Sequence, residues 1–144
     1  MQLTPDGSRF SRGARFDLRV RDEGRPATVA AHYMTEYAFS DKWSGRLVGL
    51  TFLDIGSGAR DGIQLETRAN LTYRHASWGN FGIESFNRYG STSKIPDVDK
   101  QGHQIGPFWM RRFDNGVMVF AGALYGLTDS TNDREYRLWL DWAR

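Results

Sequence analysis

His75 and Ser77 lie two residues apart with Glu84 close behind, the residue types of a base, a nucleophile and an orienting acid. Such a set works only if the base reaches the hydroxyl by a hydrogen bond. Ser77 falls in a turn, where a polar rim is the plainer reading. The other histidines, His32 and His103, have no i,i+2 or i,i+4 partner, so a metal site would need ligands converging from separate strands. Asp97 and Asp99 offer two carboxylates, too few for a calcium loop. Gly56-Ser57-Gly58 lacks the Lys-Ser/Thr and the helix of a phosphate cradle. With no cysteine, disulfides and thiolate metal sites are excluded. No cofactor and no metal is expected.

A larger set of polar side chains is spread along the chain at alternating positions. It comprises Arg15, Asp17 and Arg19, His32 and Glu36, Glu66, Arg68 and Arg74, Glu84 and Arg88, and Arg137 and Asp141. Both signs are nearly balanced, as they are in the whole chain, where 19 basic residues face 17 acidic ones. Nearly all the cations are arginines, and they are interspersed with acids rather than gathered in the patch a nucleic-acid binder shows. Inside a narrow, poorly hydrated space such residues satisfy one another, and Arg is the cation suited to bidentate pairing.

The elements that must carry these residues show a period of two. In 62–75, Ile63, Leu65, Thr67, Ala69, Leu71 and Tyr73 alternate with Gln64, Glu66, Arg68, Asn70, Thr72 and Arg74. Segments 9–20, 27–39 and 133–143 alternate likewise, and 45–55, 78–89, 103–113 and 116–126 do so more weakly. In 116–126 both faces are apolar, and Gly122 leaves room for a bulky inner side chain to approach the wall. Pro107 in 103–113 predicts a bulge at Gly106-Pro107. Successive connections alternate between long and short, from the longest at Gly90–Gln101 to the tight Asp114-Asn115-Gly116. That alternation predicts one rim with the short turns 40–44, 76–78 and 114–116, and another with 21–26, 56–61, 90–101 and 127–132. The fold expected is all-β: a closed antiparallel up-and-down β-barrel of about eight strands, one domain over residues 1–144.

Alternation alone does not say which face points inward. Segments of roughly 10–13 residues suit a tilted membrane crossing, which needs about 9–11, better than globular strands. The apolar faces carry many Phe, Tyr, Trp and Leu side chains, too bulky for the interior of eight strands. Leu65, Leu71 and Tyr73 are therefore expected outward, in lipid, and Glu66, Arg68 and Arg74 inward, with Glu36 and Arg88 as the partners of Glu66 and Arg68. Tyr33, Tyr37, Tyr73, Tyr136 and Trp142 are placed to form interfacial girdles. No run of 18 apolar residues exists for a membrane-spanning helix. Met1-Gln2-Leu3-Thr4-Pro5-Asp6 has no apolar stretch of a signal peptide, so an exported protein would be represented here by its mature chain with a start Met.

The last hairpin adds a resemblance. Ala123-Leu124-Tyr125-Gly126-Leu127-Thr128-Asp129 leads through Ser130 to Asp133 into Tyr136-Arg137-Leu138-Trp139-Leu140-Asp141-Trp142. It resembles the closing hairpin of small Gram-negative outer-membrane proteins of the MetA-pathway phenol-degradation type. Tyr37 to Ser44 and Ile105-Gly106-Pro107 are similar to their turns and to the opening of a late strand. Such chains are usually longer and end on an aromatic residue, where this one ends Trp142-Ala143-Arg144. The resemblance implies a bacterial outer-membrane location and a porin-like channel or transport role, and it brings no catalytic residues. The expected function is a narrow pore, scaffold or anchor with a charged, largely filled lumen. Its expected partners are membrane lipid and other envelope proteins, not nucleic acid. Two alternatives stand beside it: a soluble β-barrel that binds a small apolar ligand, and a membrane-embedded lipid hydrolase acting through Ser77.

Overall fold

Strands in this sequence are dictated by alternation, and the computed structural model, which describes residues 4, 8–21 and 25–142, contains eight of them. They are β1 (Phe10–Arg19), β2 (Ala27–Ala38), β3 (Trp43–Ile55), β4 (Gln64–His75), β5 (Gly79–Ser91), β6 (Gly102–Arg112), β7 (Val117–Gly126) and β8 (Arg134–Trp142). All belong to one sheet in which each strand pairs antiparallel with its neighbour in sequence, in the order β1 to β8. The sheet is open: no ladder among the described residues joins β1 to β8.

Up-and-down order divides the connections as their lengths implied. The turns after β2, β4 and β6 share one end of the sheet, here the turn rim, and the other connections share the loop rim. Residues 22–24 of the first loop lie outside the described residues. The tightest turn shows its mechanism. Gly116 adopts φ +83°, Phe113 N–H donates to Val117 O at 2.8 Å, and Asn115 Oδ1 accepts from Val117 N at 3.1 Å. Asn and Gly are the residues that tolerate such a turn. The longest loop contains a single 3-10 turn, Val98–Lys100.

Burial identifies the faces. The buried apolar side chains Ala30, Leu50, Phe108, Phe120 and Leu124 all share the register face that carries the charges. The opposite face carries Phe16, Leu47, Leu71, Ile83, Leu138 and Leu140, all exposed. Leu65 and Tyr73 belong to that face with Leu71, opposite Thr51 and Trp43. The charged face is also the inside of a bend. Glu84 on β5 and Arg137 on β8 are in direct contact, although three strand spacings separate them, about 14 Å in a flat sheet at roughly 4.8 Å each.

Two glycines make that bend possible. Phe108 stands directly between Gly82 of β5 and Gly122 of β7. A Cβ on Gly82 would come within 2.5 Å of the Phe108 ring, and one on Gly122 within 3.1 Å of the Phe120 ring. The expected bulge at Gly106-Pro107 is not present. The register of β6 against β7 runs from Ile105↔Tyr125 to Phe108↔Gly122 without a slip, and the two residues between them drop out of that ladder. Pro107 stays opposite Ile83 in the β5 ladder, so its missing N–H costs pairing on one side only.

Gly82→Ala should lower stability by about 1–3 kcal/mol, the usual cost of overpacking. Gly49→Ala should be silent, because the nearest atom to its Cβ would be Tyr33 O at 4.0 Å. Thermal and urea unfolding of both variants checks the contrast.

Candidate functional site

The residues able to do chemistry gather on the inner face, in two zones. On β1 to β4 the zone is ionic. Arg15 Nε donates to Asp17 Oδ1 at 2.7 Å along one strand. His32 Nε2 stands 3.7 Å from Asp17 Oδ2, too far for a hydrogen bond. Glu36 lies between Arg46 at 3.9 Å and Arg74 at 3.5 Å. Arg46 has no place in the sequence-derived set, because the inner positions of β3 around it are Val48, Leu50 and Phe52, which blur the alternation.

Glu66 and Arg68 share the inner face, but their expected cross-strand partners are not the ones found. Glu66 pairs with Arg68 itself at 3.7 Å, while Glu36 is taken by Arg46 and Arg74. Arg88 is directly opposite Glu66 yet lies along the wall over Gly102, where a Cβ would meet its Nε at 3.0 Å. Arg88, Arg19 and Asp141 are exposed and form no ion pair among the described residues.

On β5 to β8 the zone is aromatic. Phe108, Phe120 and Trp139 stack, with ring centroids 5.8 and 4.8 Å apart. Arg137 reaches into this stack. Its Cζ lies 4.8 Å from the Phe86 centroid and 5.3 Å from those of Phe120 and Trp139. Arg68 approaches the same Phe86 ring at 5.4 Å. Arg137 Nε finds no hydrogen-bond acceptor among the described residues, so the ring faces and the Glu84 carboxylate are what hold the guanidinium.

The inner face carries a cavity of about 500 Å³ along β1 to β3, lined by Arg15, His32, Met34, Arg46 and Val48, and two smaller ones, the first of which shares Arg46 with it. The first, of about 260 Å³, lies toward the turn rim among Glu36, Arg46, Arg74, Glu84 and Phe120. The other, of about 290 Å³, lies toward the loop rim among Arg60, Glu66, Arg88 and Gln101. They have no lining residue in common. At the loop rim Asp54, buried, accepts from Thr28 Oγ1 at 2.8 Å and from Arg60 Nε at 2.7 Å, which ties the loop after β3 to the wall. That hydrogen bond raises the Arg60 pKa from its already high ordinary value, so Arg60 stays a cation. Neither Arg60 nor Asp54 was singled out in the sequence; the pairing depends on how the loop folds back.

The outer face has an order of its own. Trp43, Tyr73, Phe81 and Trp109 are directly opposite one another across β3 to β6. Tyr37 and Phe10 continue the aromatic edge on β2 and β1, and Trp142 on β8. All lie near the turn rim. Of the five residues expected in girdles, Tyr37, Tyr73 and Trp142 fall here, and Tyr33 and Tyr136 fall elsewhere on the outer face.

The hydrolase residues are not brought together. His75 ends β4 and Ser77 lies in the turn after it, and His75 Nδ1 accepts from the backbone N–H of Ser77 and of Trp78, both at 3.2 Å. Glu84 is engaged with Arg137 on the inner face. Among the described residues no group of three His, Asp or Glu side chains is placed to hold a metal.

Glu84 and Arg137 are the most enclosed pair, with side chains 12% and 11% exposed, against 24% and 50% for Glu66 and Arg68. Glu84→Leu should therefore cost about 3–5 kcal/mol by stranding Arg137. Glu66→Leu should cost only about 0.2–1 kcal/mol. The double change Glu84→Leu with Arg137→Met should recover most of the larger loss. Urea unfolding of the three variants measures it.

Compared with known proteins, the chain matches no family model, no curated protein and no solved structure.

Proposed function

We propose that the chain is a small outer-membrane β-barrel, closed by pairing of β1 with β8, whose filled and charged interior makes it a narrow pore, scaffold or anchor rather than an open channel. The observation that carries this reading is the inversion of burial. Phe16 is 79% and Leu140 72% exposed, while the charged face holds Leu124 at 2%. Leu18, Leu53, Ile83 and Leu138 are exposed on the same face as Phe16 and Leu140. A contiguous apolar face of this extent needs an apolar surrounding, and in a bilayer it has one.

Three further features support it. Strands of 9 to 13 residues match the crossing length of a tilted strand. The aromatic row Trp43–Tyr73–Phe81–Trp109 is of the kind found at a membrane interface. With eight strands, β1 and β8 run antiparallel and can join without a crossover. Arg68 and Arg137 both reach the Phe86 ring on the inner face, and side chains that fill the interior in this way favour slight conductance. A soluble barrel with an apolar ligand inside is less well supported, since its cavity would be lined by Glu36, Arg46, Arg74 and Glu84. The resemblance of the closing hairpin to small Gram-negative outer-membrane proteins agrees with the same reading.

Because the chain has no native cysteine, closure can be tested by scanning cysteine pairs, one in Gly13–Asp17 and one in Tyr136–Leu140. In protein refolded into detergent at least one pair should oxidise within the chain, and the folded form should migrate faster than the boiled form in gel electrophoresis. Disulfide dimers alone would remove the closed barrel. A chain that stays folded and monodisperse without detergent would remove the membrane.

A further inference from the structure

The interior is filled unevenly, and small residues leave one side of it open. On β5 to β8 the inner face is occupied by Phe86, Phe108, Phe120 and Trp139. On β1 the inner positions opposite Met34 and Glu36 are Gly13 and Ser11, which carry little side chain. Both line the cavity of about 500 Å³ along β1 to β3. Arg15, His32 and Arg46 reach that cavity from the inner face, and none of the described residues lining it is a carboxylate.

The ion pairs around this space share one arrangement. The carboxylate lies back against the wall and the guanidinium stands forward of it. The Asp54 side chain is 5% exposed and its partner Arg60 61%, and Asp17 is 33% exposed against 72% for Arg15. The same order holds for Glu36 against Arg46 and Arg74, and for Glu66 against Arg68. The cause is stem length: an arginine that reaches over a shorter Asp or Glu carries its charge further from the backbone. Arg19 and Arg88, on the same face, are exposed and form no ion pair among the described residues. The remaining carboxylates of the face, Glu135 and Asp141, belong to the two ends of β8. Arg46 has donors to spare, since Nε donates to Met34 Sδ at 2.9 Å, a weak acceptor, and stands 3.9 Å from Glu36, beyond hydrogen-bond range. An ion in the open space therefore meets guanidinium before carboxylate. Arginine-lined constrictions favour anions, and low-dielectric walls concentrate that field.

We propose that the unfilled side of the interior, along β1 to β4, conducts small monovalent anions such as chloride in preference to cations, with Arg15 and Arg46 holding the anion in the β1–β3 cavity. The path rests on the membrane-barrel reading, and it gives the slight conductance of that reading a sign.

Reversal potentials under a potassium chloride gradient test it, on the full chain refolded in detergent and inserted into a planar bilayer of uncharged lipid. The parent should favour chloride over potassium by about tenfold. Arg15→Gln with Arg46→Gln should reduce that preference by about threefold or more, and Arg15→Lys with Arg46→Lys should keep it, because the field depends on charge and not on the guanidinium fork. Arg111→Gln, on the outer face opposite Val119, should change nothing. A parent that favours potassium or shows no preference would overturn the proposal, as would an unchanged preference in the folded Gln variant or an equal loss in Arg111→Gln. A folded parent that conducts no more than bare bilayer would overturn the path and leave the barrel intact. Heat-dependent gel mobility, read on every variant, reports folding separately. A parent that needs no detergent overturns the membrane reading and the path with it.

Discussion

Glu84 and Arg137 touch across three strand spacings, and the aromatic half of the inner face is arranged around that contact. Their contact requires the β5–β8 half of the sheet to bend, and the bend requires a thin wall on its inner side. Gly82 and Gly122 supply that thinness, and the Phe108 and Phe120 rings occupy the spaces they leave. Once the wall is bent, Phe108, Phe120 and Trp139 stack and Arg137 is enclosed among rings. A guanidinium in such a place is tolerable only with an anion against it, so the carboxylate and the curvature depend on each other.

How much of this could be read from residue order differs from element to element. The alternation of Gln64 to Arg74 states β4 almost to the residue, and Asp114-Asn115-Gly116 states its turn. Both signals are local: a period of two and a glycine at positive φ need no knowledge of neighbours. The face that each charge occupies was legible for the same reason. The partner of each charge was not. Glu36 meets Arg74 across an intervening strand, a contact set by curvature. Arg88 lies over Gly102 instead of against Glu66, a choice made by the shape of the opposite strand.

The aromatic half of the inner face was hidden for a different reason. Phe86, Phe108 and Phe120 occupy positions that a polar-inward pattern assigns to hydrophilic residues, so they appear in the sequence as faults in the alternation. They are instead what fills the interior where charges do not. Pro107 misled in the opposite direction. It signals a broken strand, yet the β5 ladder holds through it, and only the β7 side gives way.

Every ladder in the sheet joins strands adjacent in sequence. The chain can therefore grow its sheet hairpin by hairpin, with each new pairing closing a loop of only a few to about a dozen residues, at low contact order and small entropic cost. In the proposed closed barrel, pairing of β1 with β8 would be the exception, since it would close a ring more than a hundred residues long. Without it, β1 and β8 are two unpaired edges open to any other extended chain. Kinetic vulnerability in this protein is thus concentrated at one seam.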